Sequence, residues 1–300
     1  MKKRWILTAI ILIVVGITGL TFNKFELDDK KIINVEKEWA FDAQTLNNIT
    51  VIGTSNDLDV KFITSDSATG SILVNGNTDQ DTIDKINMAS IANNKFELDL
   101  KTEFKFQFLN INFKNTKIYI TVSLPKDHII DVVDIGTNSG SFNIDQVLAK
   151  QATFTTKSGN VNVVNVLADQ ATITTYSGNL KAEEIHAENI LLSTKSGNMT
   201  ANTITGELQA SVNSGNIKID DLSGEVTAKS SSGNVTISQS TAHAADVTVA
   251  SGNVTFTTAE GFGGFYELRS NSGNIHAPDS LGTSTEIIKI NTKSGNIKVK

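Results

Sequence analysis

Glu183, Glu184, Asp220 and Asp221 are the side chains of this 300-residue chain that come nearest to a catalytic arrangement. Glycoside cleavage uses two carboxyl groups about 5–9 Å apart across a groove. When the chain is aligned on its internal repeats, the two acid pairs occupy the same repeat position but two repeats apart, with Asn202 and Thr203 between them. All six residues fall in the connecting part of the repeat, where solvated acids are the ordinary occupants. The four histidines, His128, His186, His243 and His276, are isolated and form no ligand spacing, so no metal site is expected. There is no cysteine, which excludes disulfides, thiolate metal sites and a thiol nucleophile, and fits a bacterial exported protein. Serine precedes glycine ten times, nine of them in the repeated turns, whereas a nucleophile is singular and paired with a base. Residues 261–265, Gly-Phe-Gly-Gly-Phe, lack the Lys-Ser/Thr of a phosphate loop and read as a loop bulging from the repeats. Its two phenylalanines are expected to be exposed and could mark a contact. The chain is therefore read as non-enzymatic and without a cofactor.

What must position these residues is a short repeat. A Ser-Gly turn recurs at serines 139, 158, 177, 196, 214, 232, 251, 272 and 294, in steps of 19, 19, 19, 18, 18, 19, 21 and 22 residues, with one further Ser-Gly, Ser223-Gly224, off this period. Asn follows in eight of the nine, including Ser158-Gly159-Asn160, Ser177-Gly178-Asn179, Ser196-Gly197-Asn198, Ser214-Gly215-Asn216, Ser232-Gly233-Asn234 and Ser251-Gly252-Asn253. Units of about 20 residues cannot close a core of their own and bury apolar surface only against their neighbours. Val161, Leu180, Met199, Ile217, Val235, Val254, Ile275 and Ile297 follow the Asn directly, and Val163, Ala182, Ala201, Ile219, Ile237, Phe256, Ala277 and Val299 stand two further on. Four residues ahead of the serine are Phe154, Ile173, Leu192, Ala210, Ala228, Val247, Leu268 and Ile290. This period of two turns one face of each strand inward. A parallel β-solenoid and a meander of antiparallel hairpins both use such a unit. The small inward residues Ala152, Ala171, Ala210 and Ala228, and the prospect of Asn side chains bonding up and down the stack, favour an all-β solenoid of about nine short coils. Gly supplies the positive φ that such a corner needs.

Around this core the chain divides into four stretches. Lys2, Lys3 and Arg4 precede the uncharged residues 5–22, about 27 Å if helical, so residues 1–22 are expected to form a transmembrane signal anchor. The basic flank would leave the remainder extracytoplasmic; a cleaved signal peptide is the competing reading. Residues 23–38 read as a juxtamembrane linker and 39–135 as an irregular, β-rich capping part. Within it, residues 79–91 suit a short helix, and Phe104, Phe106 and Phe108 an alternating strand. Residues 136–300 make the solenoid. The net charge is −6 with charges scattered, which gives nucleic-acid binding little support.

The anchor, the phrase Ile120-Thr-Val-Ser-Leu-Pro-Lys126 and the serial Ser-Gly-Asn turns together resemble a bacterial putative-adhesin family of unknown function, in particular its LiaG-type, membrane-anchored members associated with cell-envelope stress. The resemblance implies an envelope-associated repeat domain and brings no catalytic residues with it. The expected function is a membrane-anchored interaction or scaffolding module whose partner is an envelope protein or cell-wall polymer. The alternatives are a cell-wall polysaccharide-binding adhesin and a polysaccharide-degrading enzyme. The chain ends on an inward pattern at Ile297 and Val299, so Ile297, Lys298 and Val299 are expected to form an open docking edge, for a partner or a second copy.

Overall fold

A computed structural model describes residues 32–42, 45–101, 116–126 and 128–300, and nearly all of them enter one β-sheet system. The first strands are β1 (Ile33–Asp42), β2 (Asn48–Gly53), β3 (Asn56–Ser65) and β4 (Thr69–Thr78). A helix α1 (Gln80–Met88) follows, then β5 (Ser90–Ala92), β6 (Lys95–Asp99), β7 (Thr116–Pro125) and β8 (Ile130–Ser139). Asp79 caps the helix by accepting from the Thr82 backbone N–H at 2.9 Å, and Ile86 is its fully buried anchor. Trp39 donates from Nε1 to the Ala89 carbonyl at 3.0 Å and meets Phe96 edge-on, which ties the helix end to the sheet.

From Phe142 onward each repeat is a single long strand: β9 (Phe142–Ser158), β10 (Val161–Ser177), β11 (Leu180–Ser196) and β12 (Met199–Ser214). Later repeats are interrupted into β13 (Ile217–Ser223), β14 (Val226–Ser232), β15 (Val235–Gln239), β16 (Ala245–Ser251), β17 (Val254–Thr257), β18 (Phe265–Ser270), β19 (Ile275–His276), β20 (Ile287–Ser294) and β21 (Ile297–Val299). All pairings among these strands are parallel, and the residues flanking each turn stay in register, the shifts falling in the connecting part of the repeat. Val161 stands beside Leu180, then Met199, Ile217, Val235, Val254, Ile297 and Ile275. A hairpin meander would pair its neighbours antiparallel, so the architecture is the β-solenoid. Each turn divides its repeat into an arm before it and an arm after it, and equivalent arms stack as the walls of a narrow interior. Ala152, Ala171, Ala201, Ala210 and Ala228 are all buried there beside Ile, Leu and Val, each large side chain contributing roughly 1.5–3 kcal/mol relative to exposure.

The arm after the turn bends at a recurring corner. Gln146, Asn165, Glu184, Thr203 and Asp221, each seven residues beyond a turn serine, have φ of 62°, 56°, 54°, 54° and 55°. This left-handed region suits Asn and Asp among non-glycine residues, because a short polar side chain can bond locally. Glu184 and Asp221 are therefore corner residues.

Chain order and stack order part company at both ends. Near the start, β2 lies between β6 and β8, and β3 between β7 and β9. At the far end, β20 lies between β16 and β18, and β21 between β17 and β19. The expected docking edge is thereby corrected: Ile297 and Lys298 are paired on both sides, Val299 is paired with Phe256, and Ile297 and Val299 are 1% and 2% exposed. The reason is hydrophobic. Ile288, Ile290, Ile297 and Val299 make a rung fit for the interior, whereas the rung of β18 and β19 offers Tyr266, Leu268 and Ile275 and is left outermost, with Ile275 45% exposed.

The expectation of a membrane-spanning helix is also corrected. No helix of the described residues is long and apolar enough to cross a membrane. The helix α1 has nine residues, with Asp81, Asp84 and Lys85 among them, against the ~20 apolar residues a span requires. Residues 1–22, on which that expectation rested, lie outside the described residues, as do Phe104, Phe106 and Phe108. A membrane anchor, a single-pass arrangement and a membrane partner are accordingly not carried into the functional reading.

Candidate functional site

Each Ser-Gly-Asn turn is held by three ladders that run up the stack. Glycine comes first: Gly159, Gly178, Gly197, Gly215, Gly233 and Gly252 have φ between 136° and 151°. A Cβ on Gly197 would lie 2.0 Å from the carbonyl oxygen of Gly178 in the rung beside it. Asparagine comes second. Asn160 Oδ1 accepts from the Asn179 backbone N–H at 2.9 Å, and the pattern continues through Asn198, Asn216, Asn234, Asn253, Asn296 and Asn274 at 2.8–3.0 Å. The third ladder was not apparent from the repeat alignment. Two residues before the turn serine, the hydroxyls of Thr156, Thr175 and Thr194 donate to Gly140, Gly159 and Gly178 carbonyls at 3.0–3.2 Å. With their backbone groups bonded from rung to rung, Ser158, Ser177, Ser196, Ser214, Ser232 and Ser251 and their Gly-Asn neighbours form a stacked turn column.

Chemistry with a partner therefore falls to the residues that flank the turns and point outward. One and three positions before each turn serine, side chains form two parallel columns along the arms. In register, Ser193 stands beside Ser211, Lys229, Thr248, Asn291 and Arg269. Lys195, Asn213, Ser231, Ala250, Lys293 and Asn271 make the companion column. Across these six rungs the two columns enclose a groove of about 580 Å³. Its charged lining is Lys195, Lys229, Arg269 and Lys293, and it contains no carboxylate. Lys195 lies over the ring of Tyr176 with Nζ 4.6 Å from the centroid.

The groove gathers its cations without acids. On other faces many lysines are matched with acids, Lys117 with Asp59 at 3.1 Å, Lys150 with Asp131 at 2.7 Å, Lys181 with Glu183 at 2.7 Å and Lys95 with Glu97 at 2.9 Å, while Lys61, Lys157 and Lys298 stand without an ion pair among the described residues. The acids raise the pKa of Lys117 and Lys150, in each case chiefly through the side-chain hydrogen bond. Lys195, Lys229, Arg269 and Lys293 enter no ion pair among the described residues. Ser230 adds a second anomaly. It occupies the threonine ladder position on the groove wall and is 5% exposed, yet its hydroxyl has no partner among the described residues. Sequence reasoning passed over all of these. The signal was the absence of Asp and Glu from two outward columns, visible only when the positions before each turn are read together.

The other residues singled out by sequence do not converge. Glu183 is held by Lys181, and Asp220 by Lys218. Glu183, Asn202 and Asp220 follow one another in register, so the two carboxylates are separated by an intervening rung. Thr203 donates to Asp221 at 3.2 Å across the corner. His128 contacts the Leu46 carbonyl at 2.8 Å, and no group of three metal-ligating side chains occurs among the described residues. In the bulging loop only Phe265 is exposed, at 46%; Phe262 is buried and rests against Tyr266, which corrects the expectation of two exposed phenylalanines.

The parallel, in-line stacking of short repeats places the chain in the class of β-solenoid repeat proteins. The chain matches the Toastrack DUF4097 family over residues 46–300 and belongs to that family. Among solved structures it is similar to a putative adhesin from Bacteroides fragilis, at 16% identity, with 91% of this chain and 98% of the other covered and a TM-score of 0.43. It is also similar to a putative cell adhesion protein from Clostridium sporogenes, at 11% identity, 89% and 99% coverage and a TM-score of 0.29. A putative lipid binding protein from Parabacteroides distasonis matches at 16% identity, 88% and 97% coverage and a TM-score of 0.39. No curated protein matches the chain.

Proposed function

We propose that this protein is an adhesin-like module of the bacterial surface that binds a cell-wall polysaccharide along the groove and leaves it chemically unchanged. The carrying observation is the groove itself. It crosses six rungs, is long in the direction of the stack, and is lined by Ser193, Ser211, Asn213, Thr248 and Asn291, whose hydroxyl and amide groups match those of a sugar chain. An extended, open trough fits a polymer better than an enclosed metabolite, and sugar binding by such surfaces tolerates bridging water. This reading replaces the expectation of a membrane-anchored scaffold, which depended on a spanning helix.

The test is co-sedimentation of the protein with purified, insoluble wall polysaccharide. Ser211→Trp and Asn213→Trp place bulk in the trough at outward strand positions, where an aromatic residue is tolerated. Each is expected to lower retention about tenfold, equivalent to about 1.4 kcal/mol. Unchanged retention of both variants would remove the groove from the reading. Release of reducing ends that disappears in Asp220→Asn or Glu183→Gln would show an enzyme instead.

A further inference from the structure

We infer that the polymer held in the groove is an acidic polysaccharide, a linear glycan carrying a carboxylate on every second sugar. The inference rests on the polysaccharide reading above and specifies its chemical class. The chain has a net charge of −6, so a trough lined by four cations and no acid runs against the composition of the molecule. Those cations have no ion-pair partner among the described residues, whereas Lys117, Lys150, Lys181 and Lys218 on other faces are each paired with an acid. Leaving like charges together without acids costs electrostatic free energy that a bound anion would recover.

Their spacing adds a ruler. Adjacent rungs of a parallel stack lie about 4.8 Å apart. Lys195 is on β11, Lys229 on β14 and Lys293 on β20, and one rung separates each from the next, β12 in the first gap and β16 in the second. The three lysines therefore recur about every 10 Å along the groove, with Arg269 one rung beyond Lys293, and a pyranose unit is roughly as long as one rung spacing. They also alternate between the two columns, Lys195 and Lys293 in one and Lys229 in the other, so acid groups projecting to either side of a threaded chain each find a cation. The intervening positions Ser211, Asn213 and Thr248 face the neutral sugars between. Lysine suits this role as a mobile point charge that does not demand the planar, bidentate geometry of a fixed site.

The experiment titrates the full chain with hyaluronan oligosaccharides, which carry one carboxylate per two sugars. Parallel arms use the same oligosaccharides after carboxyl reduction, polyglycerol phosphate, and the wall polysaccharide of the co-sedimentation assay. Native hyaluronan should bind at least about tenfold more tightly than its reduced form, with affinity falling as salt rises from about 50 to 200 mM. The double substitution Lys229→Gln, Lys293→Gln should abolish that preference, and Lys218→Gln, outside the groove, should leave it intact. Because neither groove lysine has an acid to orphan, the double variant is expected to keep the wild-type circular dichroism and melting curve. Equal binding of native and reduced hyaluronan, or tighter binding of polyglycerol phosphate, would overturn the acidic-glycan assignment while the polysaccharide reading survives on its wall-polymer arm. Failure of every glycan, wall polysaccharide included, would sink both.

Discussion

A glycine at the turn and a threonine at the corner pull in opposite directions on stability. At Gly197 the backbone has φ of 141° and an added Cβ would sit 2.0 Å from the Gly178 carbonyl oxygen. Gly197→Ala must therefore push two rungs apart as well as strain its own backbone, and should cost about 3 kcal/mol or more in urea unfolding. A loss below about 1 kcal/mol would mean that the turns are not packed carbonyl against Cα. Thr203 is the reverse case, a β-branched residue held at φ of 54°. Thr203→Asn should raise stability by about 0.5–1 kcal/mol, since Asn occupies the left-handed region readily and the exposed bond from Thr203 to Asp221 is worth little. Thermal melts of the pair in parallel give both signs. The acids at 184 and 221 that invited a catalytic interpretation are thus understood through φ: they fill a corner that elsewhere holds Gln146 and Asn165.

At the scale of the strand, the outward and inward columns were legible because the period varies only between 18 and 19 residues from Ser139 to Ser251 and the residues flanking each turn align one for one. The short helix over residues 79–91 was legible from Ile86 and its polar neighbours, and it forms over Gln80–Met88. The corner was not legible, because position seven after the turn holds Gln, Asn, Glu, Thr and Asp, with no glycine to mark it. The groove was not legible either, because its concavity belongs to stacked arms and to no single repeat. The threonine ladder links the two. Val212 and Val249 replace it on neighbouring rungs, so its hydroxyl bond is dispensable to the stack, and Ser230 between them keeps a hydroxyl that bonds to nothing described. Ser230→Val should therefore stabilise the protein by about 1 kcal/mol, through added apolar burial and removal of an unpaired hydroxyl. Destabilisation by Ser230→Val would show instead that the hydroxyl is already satisfied within the fold.

Over the whole molecule the last rungs carry the least local information and the most topological consequence. The steps of 21 and 22 residues before Ser272 and Ser294 read as two further coils in series, yet the chain lays down the outermost rung first and then threads its final segment beneath it. The outer rung, β18 and β19, is paired only with β20 and β21 among the described residues. Gly273 rests on Gly295, and Gly295 on Gly252, so the final segment also completes the turn column. Removing residues 286–300 should consequently release more than it deletes. Amide hydrogen exchange of the truncated chain is expected to show protection lost across 265–276, which remain in the polypeptide, and retained across 161–237. Arg269 leaves the groove with that rung and Lys293 is deleted, so binding of an acidic glycan should weaken even though Lys195 and Lys229 stay in place. Persistent protection at 265–276 would mean that this rung can pair directly with β16 and β17, and that the threaded order is not needed to hold it. A stack built in simple chain order would instead lose protection only at its last surviving edge.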